Sequence, residues 1–149
     1  MSALTGKAVP GTASADPGVE LRRFYGAQVR LLDGGRSVEW AATLAENTSL
    51  KLLNRPEPVP GRAAIAAAPQ AGAAALAAEG QLRRHVIAMT EAEPRPEDAF
   101  GVRAYVVVHS PRDDGTSRAA QVHLCEDVLV RRGGALCVRR RRITPESGS

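Results

Sequence analysis

The chain has 149 residues, 44% hydrophobic and 24% charged, with a formal net charge of +4. That fits one globular domain, excludes two full-sized ones, and argues against a wholly disordered or fibrous chain. No run of 18 apolar residues occurs and no apolar stretch follows the single N-terminal lysine, so neither a membrane-spanning helix nor a signal peptide is expected, and the expected location is the cytoplasm.

Residues 1–15 are small and polar and read as a mobile tail. Asp16-Pro17 has the form of a helix cap followed by proline in the first turn. Leu21, Phe24, Tyr25, Gln28, Val29 and Leu32 then follow at helical spacing until Gly34-Gly35. Ser37 is placed to cap a second, short helix with Val38, Trp40, Ala41 and Leu44. Ser49 to Leu53 reads as a short strand, and the three prolines of 54–61 as a turn or sheet edge. Eleven alanines among the eighteen residues from Ala63 to Gly80 favour helix, which Pro69 and Gly72 divide into two pieces.

Beyond Gly80 the pattern becomes strand-like: Leu82 to Ala92, Val102 to Ser110, Gln121 to Arg131 and Leu136 to Thr144. Asp113-Asp114-Gly115 marks a turn, and Gly133-Gly134 joins the last two strands as a hairpin. Residues 145–149 read as a frayed tail, leaving 16–144 as the domain. Helices first and a sheet after is an α+β layout. Its expected form is a cone-shaped barrel, a curved antiparallel sheet wrapped around the N-terminal helices with one central pocket.

Much of the positive charge lies in Arg131, Arg132 and Arg139 to Arg142. In a strand these side chains alternate between faces, and no aromatics are interleaved for base stacking, so they argue against nucleic acid. They read as solvated or ion-paired strand arginines, the alternative being that one of them reaches a pocket. Cys125 and Cys137 do not face each other in the hairpin: Cys125 falls near Arg142 and Cys137 near Val130. They read as two buried thiols, since no metal-ligand spacing accompanies them.

Asp127 is an odd charge amid Leu124, Val128 and Val130. A two-residue turn would set it opposite Arg140, a three-residue loop opposite Arg141. Both a structural ion pair and a catalytic role remain open for it.

Four segments, FYGAQVRLLDGGRSVEWAATLAEN, PVPGRAAIAAA, LRRHVIAM and VHLCEDVLVRRGGALCVRRRRI, in that order and spacing, resemble the SnoaL-like branch of the nuclear-transport-factor-2-like superfamily. That branch includes polyketide cyclases and, more distantly, scytalone dehydratase. The resemblance implies a cone whose pocket is closed by the N-terminal helices. Carried onto this chain, it matches Asp33 to the acidic residue ending the first helix, His85 to the histidine of the first long strand, Asp127 to the acidic position of the third, and Arg141 to the arginine of the last. Tyr25 and Trp40 match aromatic positions over the pocket. The chain departs from the family at Leu44-Ala45-Glu46-Asn47, Cys125 and Leu136, where bulkier or polar residues are common. Fold alone does not fix function, and the superfamily includes proteins that are not enzymes.

A carboxylate and an imidazole in a dry cavity suffice for general acid–base chemistry. They can move a proton next to a carbonyl, as in cyclisation, dehydration or isomerisation of an aromatic polyketide-type intermediate, without metal or redox cofactor. No phosphate-binding glycine motif is present. The proton-handling candidates are His85 with Asp33 or Asp127. Arg141 is expected to orient the acid or bind a substrate oxyanion, and Tyr25 and Trp40 to stack on a flat substrate. Met89 and His123 share parity with His85 and Asp127 respectively and are expected to line the pocket. Tyr105 is a further lining candidate, its face left open. The expected partners are a small aromatic substrate and a second copy of the chain. The alternative function is a non-catalytic binding or dimeric accessory protein of the same fold.

Overall fold

A computed structural model describes residues 16–51, 56–65, 84–109 and 121–146. The N-terminal tail, most of the alanine-rich segment and the Asp113-Asp114-Gly115 turn lie outside the described residues.

Helix α1 spans Pro17–Asp33. The Asp16 carboxylate accepts the Gly18 N–H at 2.9 Å, satisfying one of the donors that a helix start leaves open. Glu20, Leu21, Phe24, Tyr25 and Gln28 form its buried stripe. The helix stops where Gly35 takes a positive φ of 71°, which glycine adopts without a Cβ clash. Helix α2 spans Ser37–Ala41 and begins one residue earlier than the serine suggested. Arg36 is its N-cap, with its carbonyl accepting the Trp40 N–H, while the Ser37 side chain is buried in the first turn and caps nothing.

Six strands follow among the described residues: β1 (Leu44–Lys51), β2 (Val59–Pro60), β3 (Arg84–Arg95), β4 (Ala99–His109), β5 (Gln121–Arg132) and β6 (Ala135–Pro145). They form one sheet in the order β2-β1-β6-β5-β4-β3, curved and open rather than closed into a barrel. Two features depart from the expected sheet. The β1 strand starts at Leu44, not Ser49, and it pairs parallel to β6, so one junction in the sheet is parallel. Pro145 belongs to β6 rather than to a frayed tail, and the next N–H, of Glu146, donates to Val122 at 3.1 Å.

The hairpin between β5 and β6 turns on two residues, Gly133 and Gly134, both with positive φ as the tight primed turn requires. A bulge then shifts the ladder. Leu129 pairs with Val138 but Val128 pairs with Arg140, which leaves Arg139 as an extra residue. Asp127 consequently faces Arg141 across a two-residue turn, the pairing expected only of a longer loop. For the same reason Cys125 faces Ile143 rather than Arg142, while Cys137, on the turn side of the bulge, faces Val130.

One sheet face, the inner face, carries the two helices. Phe24, Tyr25, Trp40 and Leu44 pack there with Val102, Leu129 and Val138 into the main core. Each such side chain contributes about 1.5–3 kcal/mol by leaving water. Polar ties hold α1 down near both ends: the Arg131 guanidinium donates twice to Glu20, at 2.7 and 2.9 Å, and Asp33 is bound by β3. No helix among the described residues is long and apolar enough to cross a membrane.

Candidate active site

Directly opposed residues in the ladders share a face, so the inner face can be read strand by strand. Asp127, Cys125 and His123 of β5 stand opposite Val102, Ala104 and Val106 of β4, and Val106 stands opposite Ile87 of β3. His85, two residues from Ile87, belongs to the same face. Besides His123 and the Arg131–Glu20 tie, two polar constellations stand on this surface.

The first is a carboxylate–imidazole pair. Asp33, the last residue of α1, accepts the backbone N–H of His85 through Oδ2 at 3.0 Å and meets the imidazole Nδ1 through Oδ1 at 2.6 Å. An ionised carboxylate only accepts, so Nδ1 carries the proton and Nε2 is left as the ring's second functional atom. Both side chains remain partly open to solvent, at 18% for His85 and 15% for Asp33. Anchoring one carboxylate to two atoms of the same residue fixes ring orientation without closing the site.

The second constellation is deeper. Asp127 accepts the Tyr25 O–H at 2.6 Å, the Arg141 Nε–H and terminal N–H at 2.9 and 2.8 Å, and the Cys125 S–H at 3.3 Å. Arg141 also donates to the Gln28 side-chain carbonyl at 2.8 Å. The Gln28 amide in turn donates to the Thr43 hydroxyl at 2.7 Å, and that hydroxyl donates to the Trp40 carbonyl at 2.6 Å. The chain of bonds links α1, α2 and the two strands of the hairpin. Burial, then the adjacent Asp127, push the Tyr25 hydroxyl well above its ordinary pKa, so it stays a donor. Burial opposes the charge on Arg141, but Asp127 outweighs it and holds the guanidinium protonated.

Burial and Asp127 likewise push the Cys125 thiol up, and burial raises Cys137. Thiolates are the reactive form, and both sulfurs are free and buried. Neither cysteine is therefore expected to react with a disulfide reagent at pH 8 in the folded protein, and both are expected to react once urea unfolds it. Rapid labelling of native protein, counted by absorbance or mass, contradicts this burial.

The remaining sequence candidates fall as follows. Trp40 is 3% exposed and lies in the main core beside α1, as does the ring of Tyr25. His123 lies on the inner face, and Met89 lies on β3 with its side chain outside the described set. Tyr105 is not brought to the site. It stands opposite Ala88 and Leu124, on the outer face with Arg103 and Glu126, because its neighbours Ala104 and Val106 take the inner positions. Gln28 and Thr43 were not anticipated as members of the Asp127 network. The one signal for Gln28 was an amide in the apolar stripe of α1.

The outer face holds an open groove of about 1220 Å³. Glu91, Glu93 and Arg95 of β3, Arg103 of β4 and Glu126 of β5 line it together with Arg140 and Arg142 of β6 and Lys51 of β1, so acidic and basic groups are mixed along it. Neither helix lines it.

Residues 16–142 match the family described as the SnoaL-like domain. Among solved structures, the chain is similar to Aln2 from a Streptomyces species, at 26% identity over 91% of this chain and 94% of that one, with a TM-score of 0.81. It is similar to ActVI-ORFA from Streptomyces coelicolor at 27% identity over 87% and 96%, with a TM-score of 0.79. A protein from Catenulispora acidiphila, solved in complex with S-DNPA, shares the fold at 24% identity over 87% and 92%, with a TM-score of 0.72. No curated protein matches the chain.

Proposed function

Since the chain belongs to the SnoaL-like domain family, within the nuclear-transport-factor-2-like superfamily, we propose that it is a tailoring enzyme acting by acid–base catalysis on an aromatic polyketide-type intermediate, without a metal or redox cofactor. The reaction class is cyclisation, dehydration or isomerisation. The observation that supports this reading is the Asp33–His85 pair: oriented by two bonds, partly open to solvent, and set on the inner face beside the apolar Ile87 and Val106. The His85 Nε2 accepts a proton from the carbon next to a substrate carbonyl, Asp33 stabilises the imidazolium that forms, and the same nitrogen returns the proton to an oxygen or carbon elsewhere on the substrate. In a dehydration the returned proton leaves with the departing hydroxyl as water.

Asp127 takes a different part. Its two oxygens already receive four donors and its side chain is 1% exposed. It is assigned the positioning of Arg141 and Tyr25 rather than proton transfer. The ligand of the Catenulispora structure is consistent with a small-molecule site on this fold.

The test is made in the native host, by comparing small-molecule extracts of a deletion strain and a His85→Ala strain by mass spectrometry. Both are expected to lose the same product. An accumulating isomer of that product indicates cyclisation or isomerisation, and an intermediate heavier by one water indicates dehydration. A normal profile in the His85→Ala strain beside a defective deletion strain overturns the catalytic reading. It then favours the second reading, a dimeric accessory protein. That reading draws on the outer groove, an open surface that carries both carboxylates and guanidinium groups and that neither helix covers.

A further inference from the structure

His123 is the one imidazole on the inner face to which the mechanism gives no part. It is 9% exposed, and its Nδ1 is buried with no hydrogen-bond partner among the described residues. Neither tautomer relieves this. As an N–H the atom lacks an acceptor, and as a bare nitrogen it lacks a donor. Buried polar atoms in folded proteins are nearly always paired, because leaving one unpaired forfeits the bond it made with water.

Among the described residues, the surroundings offer no structural use for the ring's polarity. His123 stands opposite Val106, and its inner-face neighbour along β5 is Cys125, whose sulfur is engaged with Asp127. The placement relative to the proton-handling pair does suggest a use. His123 and His85 lie on β5 and β3, the two strands flanking β4, on the same face and offset by one inner position. Burial, and then the proximity of His85, hold the His123 ring below its ordinary pKa, which favours its neutral form.

We infer that His123 is a second substrate-contacting residue of this site, its Nδ1 pairing with a neutral oxygen, hydroxyl or carbonyl, on an aromatic ligand held over the inner face beside His85. The inference rests on the reading of that face as the ligand site. A neutral imidazole offers either an N–H or a lone pair but no charge. It therefore matches a hydroxyl or carbonyl, whereas a carboxylate or ammonium in so enclosed a place needs a charged partner. Two imidazoles in unlike environments also divide the labour. His85, tied to a carboxylate, takes the proton, and His123, kept neutral, fixes the oxygen next to the carbon that loses it.

The test uses two aromatic probes of similar size, 1-naphthol and 1-methylnaphthalene, bound to the full-length protein and to His123→Phe. The expected result is a loss of 1-naphthol affinity of tenfold or more in His123→Phe, with 1-methylnaphthalene changed by less than twofold and no fall in melting temperature. In the ¹⁵N-labelled wild-type protein, the His123 Nδ1 resonance is expected to move on addition of 1-naphthol. Equal affinity of 1-naphthol for both proteins overturns the inference. So does a parallel loss for both probes with a lower melting temperature, which marks a structural role. Absence of 1-naphthol binding to the wild type also overturns it. If His123→Phe does not fold, the wild-type resonance decides alone: binding of 1-naphthol without movement of Nδ1 is contrary to the inference. These are binding readouts, so they can fail while the His85→Ala strain still shows the metabolic defect, and can succeed where it does not.

Discussion

Asp127→Ala is expected to lower the unfolding free energy by about 3–5 kcal/mol, the range found when one partner of a buried ion pair is removed. At this chain length that corresponds to a fall in melting temperature of roughly 6–20 °C. The reason is what stays behind. The Arg141 guanidinium, 11% exposed, would keep one partner, the Gln28 carbonyl, and lose both carboxylate oxygens. Burial already works against its charge, and Asp127 is what outweighs that burial. The Tyr25 hydroxyl and the Cys125 thiol would lose their acceptor in the same step. Arg141→Met alone is expected to cost a similar amount, by leaving the carboxylate with only Tyr25 and Cys125. The double variant Asp127→Ala/Arg141→Met is expected to be less destabilised than the two single costs added together, because no unpaired charge remains. Urea unfolding of the four proteins measures this. Additive costs within about 0.5 kcal/mol would show that the two residues do not act as a pair.

The same network shows how much could be read from the chain and where reading stopped. Asp127 was conspicuous as a charge in an apolar strand, and Arg141 was one of two candidate partners. Choosing between them needed the register, and the register depends on Arg139 being an extra residue in β6. A bulge inside a run of four arginines leaves no trace in an alternating pattern, since every residue of the run is equally polar. Helix α1 was legible in start, stripe and stop because its signals are local: Asp16, Pro17, the apolar spacing and Gly34-Gly35. The face of Tyr105 was not. It sits beside Val106, Val107 and Val108, and a strand with apolar residues on both faces does not announce which face is inward. The parallel junction of β1 with β6 was equally hidden, because it joins segments about ninety residues apart through no local motif. The meeting of Asp33 with His85 is non-local too. From the residues alone Asp33 was a helix-end aspartate before two glycines, and the resemblance marked it as more.

Asp33→Asn and His85→Ala are each expected to reduce turnover by about 10²–10⁴-fold, the usual contribution of a positioned acid or base. Both should leave the fold intact, since the pair lies at the margin of the core and is partly open to solvent. The assay adds purified protein to extract of the deletion strain and follows loss of the accumulated intermediate by mass spectrometry. The double variant is decisive. If Asp33 acts only through His85, by holding its tautomer and stabilising the imidazolium, then Asp33→Asn/His85→Ala should be no slower than His85→Ala alone. Costs that multiply instead would mean that Asp33 touches the substrate in its own right. The asparagine variant also separates charge from shape. Its amide can accept the backbone N–H of His85 as the carboxylate does, but it can present an N–H₂ to Nδ1 and so favour the wrong tautomer, with the proton on Nε2. Asp33→Asn is therefore expected to fold as the wild type does and yet lose most of its activity, whereas unimpaired turnover in Asp33→Asn would remove the carboxylate from the mechanism.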